Sequence, residues 1–188
     1  MRMKEVPLPQ ATRLVNHGPV VLVSSVNDGH VGITPVAWHM PISKDPPMVA
    51  LTVGEGHYIH KCILENGDFV INIPSPDMAG IVVECGSCSA KDTDKTKIAG
   101  VSLSEASKVT SPYVEGALGR LECSLVRDEH TRATYDIIIG KVLYAAACPD
   151  LFDGHWRFSG SAGSTLHHLG GRMFCVPREE LMDLRKDK

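Results

Sequence analysis

The sequence predicts a mainly β fold, in which a small antiparallel barrel is decorated by short helices. About six or seven segments are short, rich in β-branched residues and bounded by turn-forming residues, as strands are. The connections between most of them are too short for the crossovers of a parallel sheet. No G-x-G-x-x-G turn follows a strand and opens a helix, so we do not expect a dinucleotide-binding parallel sheet.

The composition is that of an ordinary soluble protein. The 188 residues are 43% hydrophobic and 22% charged, which suits one domain with a sizeable core. A net charge of -3 shows no basic excess, so we expect neither a nucleic-acid nor a membrane partner. Without an apolar run of membrane-spanning length or a signal peptide, a cytoplasmic location is expected. We predict a single domain over residues 1–188, with a peripheral charged tail at about 177–188.

The N-terminal segments predict a hairpin. Residues 10–17 are expected to form one or two helical turns that end at Gly18. Residues 19–26 predict a strand, and residues 27–29 (Asn-Asp-Gly) predict a tight turn because these residue types tolerate a positive φ angle. The next strand, residues 31–38, is therefore predicted to pair antiparallel with the first.

Two further strands, residues 46–53 and 68–74, are predicted around an amphipathic helix over residues 57–66. The helix is indicated by residues that repeat at i, i+3, i+4 and i+7, namely Ile59, Cys62, Ile63 and Asn66. Asp77 is expected to cap a helix that runs to about residue 84, followed by a loop over residues 85–90. Asp92 is expected to cap a second short helix that ends before Gly100.

The C-terminal half predicts long antiparallel strands. Residues 117–127 alternate between apolar and polar side chains, which is typical of a half-buried strand. Residues 135–147 predict a second long strand in which Gly140 marks a bulge or bend. Residues 149–171 are irregular, and a long irregular segment of this kind is usually a binding loop. Residues 172–176 predict a final edge strand.

The strand over residues 31–38 carries the first functional signal. Pro35 has no N–H to donate to a sheet, so the chain is expected to leave the sheet at an edge or bulge there. The backbone groups exposed at that point need partners. With Thr34 before the break and Trp38 after it, a flat ligand with hydrogen-bonding edges is a candidate. The alternative is an ordinary strand end with Trp38 in the core.

Two other segments offer chemistry. Residues 87–95 could cradle a phosphate, with Lys91 and Lys95 supplying charge, although surface lysines are usually only solvated. Cys85 and Cys88 form a Cys-x-x-Cys pair, which could be structural, redox-active or metal-binding. A metal is not expected because no second pair of ligands lies nearby in the sequence.

Five segments occur in a recognisable order: residues 34–38 (Thr-Pro-Val-Ala-Trp), Pro46-Pro47, residues 66–74, residues 88–95 and residues 168–171 (His-Leu-Gly-Gly). On these segments, from residue 19 to residue 176, the chain resembles the flavin reductase-like, FMN-binding split-barrel family, and most resembles its flavoredoxin type. The resemblance implies an antiparallel split β-barrel and a homodimer with one FMN near each side of the interface. It implies an oxidoreductase that transfers electrons or reduces flavin with NAD(P)H, taking electrons from NAD(P)H or a redox protein.

The resemblance also implies which residues hold FMN. The ring is lined largely by backbone groups, the ribityl chain and phosphate by the next strand end and helix start, and a lysine reaches the phosphate. The cofactor-binding residues implied are Thr34, Pro35, Val36, Ala37, Trp38, Thr52, Val53, His57, Tyr58, Ser89, Lys95 and His168. No catalytic acid or base is named, since the flavin carries the redox chemistry.

The chain departs from the family pattern at the helix start, where residues 57–59 read His-Tyr-Ile and an Arg-Tyr-Thr or Arg-Tyr-Ser sequence is common. Phosphate binding is therefore expected to depend more on His57 and Lys95. For His168, ordering the turn at residues 170–171 is an alternative to lining the pocket. For the whole protein, the alternatives are a split-barrel binding module without turnover and a thiol or metal redox site at Cys85 and Cys88.

Overall fold

The computed structural model describes residues 3–158, 160 and 163–177. In chain order the strands are β1 (Val21–Asn27), β2 (His30–Val36), β3 (His39–Lys44), β4 (Pro47–Thr52), β5 (Asp68–Ile73), β6 (Leu103–Ser104), β7 (Tyr113–Val114), β8 (Gly119–Val126), β9 (Ile137–Ala147), β10 (His167–Gly170) and β11 (Met173–Cys175). The α-helices are α1 (Tyr58–Asn66), α2 (Ala79–Ser87) and α3 (Glu129–Tyr135), and short 3-10 segments are Leu8–Leu14, Pro76–Met78 and Lys95–Lys97. No helix within these described ranges is both long and apolar enough to cross a membrane.

Seven strands form one antiparallel sheet in the order β2-β1-β5-β8-β9-β4-β3. The pairs β6–β7 and β10–β11 form separate two-stranded ribbons. The predicted mainly β, antiparallel fold is confirmed. The predicted strands at residues 19–26, 31–38, 46–53, 68–74, 117–127, 135–147 and 172–176 all have counterparts, with ends that differ by a few residues.

The sheet curls so that its two edge strands come together at one end. β2 and β3 lie at opposite edges in the strand order, yet only Ala37 and Trp38 connect them. Hydrogen bonds hold this seam: Thr52 N donates to Trp38 O at 2.9 Å, and His39 Nε2 donates to Pro19 O at 2.9 Å. A twisted sheet whose edges are joined this way forms a barrel.

The barrel interior is filled by side chains that alternate along the strands, and α1 packs against β1 and β2. The main buried cluster is apolar: Val21, Val23, Val36, Leu51, Val53, Ile59, Cys62, Ile63, Phe69, Ile71, Cys123 and Ile138. A second cluster lies beneath α2 on the opposite face of β1 and β2: Val20, Leu22, Ile33, Met78, Val82, Cys85, Val114 and Leu166. The alternation along β1 explains why both faces of this strand are buried.

Gly140 has a packing role instead of the predicted bulge. It stays in regular register with both Val49 and Leu125, and the irregularity between β8 and β9 lies at Glu122 and Cys123. A Cβ atom at position 140 would overlap the ring of Phe69. The glycine is needed because the Phe69 ring packs directly against the β9 backbone.

Buried polar side chains fix the excursion over residues 103–114 to the outer face of the sheet. Glu122 accepts hydrogen bonds from Ser107 N at 2.9 Å and Lys108 N at 2.6 Å, and it pairs with Arg120 Nε at 3.1 Å. Asn72 accepts from Val114 N at 2.8 Å and donates to Leu22 O at 2.9 Å. These anchors satisfy backbone groups that a sheet would otherwise pair.

Several predicted elements are wrong in type or extent. β3 and α3 were not predicted, and the helix predicted between Asp92 and Gly100 is only the 3-10 segment Lys95–Lys97, which Asp94 caps by accepting from Thr96 N. α2 starts at Ala79 without a cap from Asp77 and continues through Ser87, so the predicted loop at residues 85–90 is partly helical. Residues 178–188 of the predicted tail lie outside the described residues.

Candidate functional site

The β2–β3 connection presents backbone groups at the seam of the barrel. Ile33 O points away from β1, because it accepts a hydrogen bond from Lys95 Nζ at 2.7 Å. Pro35 lies two residues further on and therefore shares the same outward side of the strand. Because an N–H at this position would point away from β1, its absence removes no hydrogen bond between the two strands. β2 therefore continues through Pro35 and ends at Val36. The predicted edge position of this strand is thus confirmed. The chain leaves the sheet after Val36 and not at Pro35 as predicted.

Trp38 lies at the surface of the seam and not in the core. The residue is 51% exposed. With the Asn16 amide oriented to satisfy both partners, its nitrogen donates to Ala37 O at 3.1 Å and its oxygen accepts from Trp38 Nε1. Asn16 follows the N-terminal 3-10 segment and was not predicted as a site residue. The indole is therefore held in place while much of its face stays accessible.

A pocket of about 320 Å³ lies on one side of Ala37. Its lining is largely apolar and includes Val15, Asn16, Ala37, Trp38, Met40, Ala50, Thr52 and Ile137. Thr52 thus meets Ala37 and Trp38 in one pocket. The contacts of these residues with a flavin stay a prediction. The side chains of Val36 and Val53 point instead into the main core cluster, so only their backbones are available to a ligand.

The start of α1 has free hydrogen-bond donors. His57 is the N-terminal capping residue but makes no side-chain cap, and it is exposed. The amides of Tyr58 and Ile59 have no hydrogen-bond acceptor among the described residues. The Tyr58 ring packs against the core, where burial raises the pKa of its hydroxyl. Free amides at a helix N-terminus favour an anion.

The loop that follows α2 comes close to these amides. Lys91 Nζ donates to Gly56 O at 3.2 Å, which ties the loop to the segment before α1. Ser89 shapes the loop: its Oγ accepts from Lys91 N at 3.2 Å and its carbonyl accepts from Thr93 N at 2.9 Å. A Cβ atom at Gly56 would meet nothing within 4 Å, so space is open there. Two predicted phosphate-binding segments therefore meet.

Lys95 occupies a different place from Lys91. It is only 3% exposed, and its Nζ donates to Ile33 O at 2.7 Å and Cys85 O at 2.6 Å. Burial lowers the pKa of Lys95. The ammonium group thus joins the outward edge of β2 to the last turn of α2, where the unpaired carbonyls of a helix favour a cation. Its predicted contact with a phosphate stays a prediction.

A second pocket, of about 290 Å³, lies on the other side of Ala37. It is bounded by the end of β2, the last turn of α2 and the β10–β11 hairpin, with Pro35, Gly86, Ser87, His168 and Arg172 in its lining. His168 Nε2 donates to Gly171 O at 3.0 Å, so His168 both orders the hairpin turn and lines a pocket beside Pro35. The turn-ordering role of His168 is thus confirmed, and its contact with a flavin stays a prediction.

His60 is a buried polar residue that the sequence interpretation missed. It lies in the first turn of α1, and its Nε2 has no hydrogen-bond partner within the described ranges. Burial, reinforced by the positive charge of Arg132, lowers the pKa of His60. Burial thus favours the neutral form of the imidazole. No sequence pattern distinguishes it from an ordinary helix residue.

The Cys85–Cys88 pair lacks the surroundings of a reactive dithiol. Cys85 is buried, and burial raises the pKa of its thiol to about 11. Reactive cysteines have lowered pKa values because the thiolate is the nucleophile. Cys88 Sγ lies 3.4 Å from Glu84 O. Residues 3–158, 160 and 163–177 contain no group of three or more His, Cys, Asp or Glu side chains placed to hold a metal.

Comparisons with known proteins agree with this architecture. The family described as "Flavin reductase like domain" matches residues 14–164. A protein of Escherichia coli, "Uncharacterized protein YddH", is 34% identical over 179 residues, which is 93% of this chain and 95% of that protein. A Shewanella baltica crystal structure, described as an FMN-binding domain of a flavin reductases-like enzyme, is 30% identical with a TM-score of 0.84, and covers 95% of each chain.

The flavoredoxin of Desulfovibrio vulgaris (Miyazaki F) has a TM-score of 0.78 at 22% identity, covers 89% of this chain and 91% of that chain, and shares the fold. The order of the seven strands, the two-residue connection at the seam and the match over residues 14–164 all point to one architecture. The chain is a split barrel and belongs to the flavin reductase-like domain family.

Proposed function

We propose that the chain binds FMN and acts as an NAD(P)H-dependent oxidoreductase of the flavin reductase type. One observation carries the proposal: the free amides of Tyr58 and Ile59 meet the loop of Ser89 and Lys91, and the strand that leads to this helix ends at Thr52, whose N–H donates to Trp38 O in the seam. An anion at the helix start and a flat ring along the seam suit the two ends of FMN.

The donors present fit a terminal phosphate. Two free main-chain amides, the exposed imidazole of His57 and the ammonium group of Lys91 lie around an open space at Gly56. Backbone amides and cations are the usual partners of a phosphate. An FAD would place an adenylate extension at the same loop, so we expect FMN to bind better than FAD.

The seam suits the flavin ring. Ala37 and Trp38 expose backbone and an aromatic face, and Thr52 lies in the same pocket. When bound, a flavin accepts and passes on electrons, and the protein determines its orientation and surroundings. The residues of this chain would bind the phosphate, orient the ring and exclude water from one face; no side chain is required as an acid or base.

Solved structures with this fold carry different descriptions. A flavoredoxin shares the fold, as does a structure described as nitrilotriacetate monooxygenase component B, from Bacillus cereus, with a TM-score of 0.79 at 21% identity. We favour the reductase because the pocket beside Pro35 and Ala37 leaves room for a second small molecule. A homodimer is part of the proposal, since apolar side chains are exposed along the seam and β3.

The test uses the purified full chain. Titration with FMN, FAD and riboflavin measures the three dissociation constants, and oxidation of NADH and NADPH with added FMN measures turnover. We expect FMN to bind most tightly and one or both nicotinamide cofactors to be oxidised. Tight FMN binding without turnover would favour the electron carrier, and binding of none of the flavins would contradict the proposal.

A further inference from the structure

We propose that α3 braces the turn that leads into α1, and that Arg132 is the residue that positions this turn for a phosphate. The turn comprises residues 53–57 and ends directly before the free amides of Tyr58 and Ile59. The inference rests on the proposed function, because those amides are the proposed phosphate-binding donors. It adds a positioning residue from a helix that the sequence interpretation did not predict.

α3 contributes little to the core. None of its seven residues, Glu129–Tyr135, is buried, and Tyr135 at its end is 61% exposed. β8 and β9 are antiparallel neighbours, which a two-residue turn can join, so the chain needs no helix between them. The helix is nevertheless capped at its start, where Asp128 Oδ1 accepts from Thr131 N at 3.1 Å. Its contribution therefore lies in its contacts at the surface.

Two hydrogen bonds join α3 to the turn. Arg132 Nη1 donates to Glu55 Oε1 at 2.8 Å. Asp136 O, at the end of the helix, accepts from Val53 N at 2.9 Å. Glu129 holds the guanidinium from the other side, since Arg132 Nη2 donates to its Oε2 at 2.6 Å. Although it projects from an exposed helix, the Arg132 side chain is only 21% exposed. A planar guanidinium held between two carboxylates has a fixed direction, so it can fix the position of Glu55.

The turn needs such a contact because two glycines make its backbone flexible. Glu55 lies between Gly54 and Gly56, and glycine has more backbone freedom than any other residue. Within the turn, His57 N donates to Gly54 O at 3.0 Å. From outside, Lys91 Nζ donates to Gly56 O at 3.2 Å. The hydrogen bond from α3 to Glu55 therefore secures the middle of a segment that the glycines leave free.

A fixed turn favours phosphate binding through preorganisation. The amides of Tyr58 and Ile59 can both point at one anion only if the chain before them holds one conformation, and an ordered site loses less entropy on binding. The effect is selective, because riboflavin has no phosphate to meet these amides. Glu55 carries a negative charge, which on electrostatic grounds alone would oppose a phosphate. Positioning and direct charge effects therefore predict opposite results when the Glu55 side chain is removed.

Titration of the full chain with FMN and riboflavin tests the inference. Arg132→Met and Glu55→Ala should each weaken FMN binding roughly threefold, the loss expected for one exposed ion pair, and change riboflavin binding by less than about twofold. Arg132→Lys, which can still reach Glu55, should recover part of the loss. Lys61→Met, which removes the cation of an exposed ion pair on α1, is the matched control and should change neither affinity. Unchanged or tighter FMN binding in Glu55→Ala would overturn the inference.

The double variant shows whether the two side chains act as one contact. Combining Glu55→Ala with Arg132→Met should weaken FMN binding no more than either change alone, since both remove the same hydrogen bond. Losses that multiply in the double variant would overturn the inference, because they would give each side chain an effect of its own.

A second measurement needs no flavin. In the flavin-free chain, amide hydrogen exchange followed by NMR should be roughly threefold faster at Val53 and His57 in Arg132→Met, and unchanged at the buried Val70 of β5. Unchanged exchange at Val53 and His57 would overturn the brace. Faster exchange with unchanged FMN affinity would overturn the positioning role of Arg132. An unmutated chain that binds no FMN would contradict the proposed function, and the exchange rates would then decide whether α3 braces the turn.

Discussion

The two lysines of the loop after α2 differ in their surroundings, and this difference leads to a paired prediction at the residue scale. Lys91 is exposed beside the start of α1, whereas Lys95 is buried against Ile33 O and Cys85 O. The sequence indicated both as charges near a phosphate, because residue type and spacing predict charge. Which of them is buried depends on how closely α2 approaches β2, and spacing alone does not determine that.

We expect Lys91→Ala to weaken FMN binding by about 1 to 3 kcal/mol with little effect on riboflavin, since only FMN has the phosphate. Lys95→Ala should also weaken FMN binding more than riboflavin binding if the lysine reaches the phosphate. Because two buried carbonyls lose their donor, Lys95→Ala should in addition lower the free energy of unfolding by about 1.5 to 3 kcal/mol. Flavin titrations and urea melts separate the two effects; an unchanged melt for Lys95→Ala would contradict its structural role.

Trp38→Ala should reduce FMN affinity more than stability. Trp38 is 51% exposed, so the loss of its indole deletes little core packing and should cost less than the roughly 3 to 5 kcal/mol typical of a buried aromatic residue. A lost contact with the flavin ring should cost about 0.5 to 1.5 kcal/mol of affinity beyond the buried area. Thermal melts of the flavin-free protein and FMN titrations measure both, with Trp156→Ala as the control. A collapsed melting temperature with an unchanged flavin spectrum would contradict this placement.

Buried thiols should make stability fall in alkaline solution. Burial raises the pKa of Cys85 to about 11 and that of Cys123 to about 12, from an ordinary value of 9.0. Above the ordinary value the unfolded chain loses these protons while the folded chain keeps them. The folded state then binds more protons, so the contribution to stability is complete below the unfolded pKa and is lost as the pH rises towards the folded pKa.

Urea melts between about pH 8 and about pH 10 measure this effect. The lowered pKa of Lys95 acts in the opposite direction, so the test compares slopes between variants. Cys123→Ala should flatten the decline relative to the unmutated chain, whereas Cys175→Ala, which removes an exposed thiol, should not. Equal slopes in all three proteins would show that the thiol of Cys123 ionises as readily in the fold as in the unfolded chain.

At the scale of the element, Gly140→Ala should be the most damaging glycine substitution in the sheet. The added Cβ would overlap the Phe69 ring and lie 3.1 Å from Cys123 Cβ, so we expect a loss of about 1 to 3 kcal/mol. Phe69→Leu should cost less in the Gly140→Ala background than alone, because it makes room for the methyl group. Gly18→Ala, which meets nothing within 4 Å, is the control. Additive losses in the double variant would contradict the steric explanation.

Strands and helices with a clear hydrophobic period were predictable from the sequence. Elements whose structure depends on the strands or side chains they pack against were not. β5 and β8 are either runs of apolar residues or alternations of apolar and polar residues, bounded by turn residues. Such patterns are typical of strands, so both strands could be predicted from the sequence. β3 contains Pro41 and is mostly exposed, and it is a strand because β4 pairs with it. α2 is only weakly amphipathic and contains Gly86. A Cβ atom added at this position would lie 3.0 Å from the ring of Pro35. Close packing of this kind is a tertiary property.

The same limit applies to the candidate site. Residues 34–38 and the start of α1 were predictable, because proline chemistry and helix starts are local features. Asn16 and Arg172 were not, since each reaches the site from a segment distant in sequence. Glycine-rich spacing at residues 168–171 indicated a turn but gave no hint that His168 would border a pocket with Pro35.

At the scale of the whole molecule we expect a dimer. Trp38, Met40 and Ile42 expose apolar side chains on and beside the edge strand β3, and Leu143 is exposed on β9. Exposed apolar patches of this kind usually mark contacts between proteins, and self-association of identical chains is the commonest case. Light scattering should give twice the chain mass. Met40→Lys combined with Ile42→Lys should yield a monomer, whereas Met173→Lys, on the β10–β11 hairpin, should not. A monomeric unmutated chain would contradict the expectation.

The two-residue connection between β2 and β3 also restricts how the barrel can open. Consecutive Cα atoms are 3.80 Å apart, so three virtual bonds from Val36 to His39 limit the separation of the two edges there to about 11 Å. The opposite ends, at His30 and Lys44, have no such tether. Any separation of β2 from β3 would therefore take the form of a wedge with its apex at Ala37 and Trp38, and a crosslink between His30 and Lys44 would prevent it while leaving the apex unchanged.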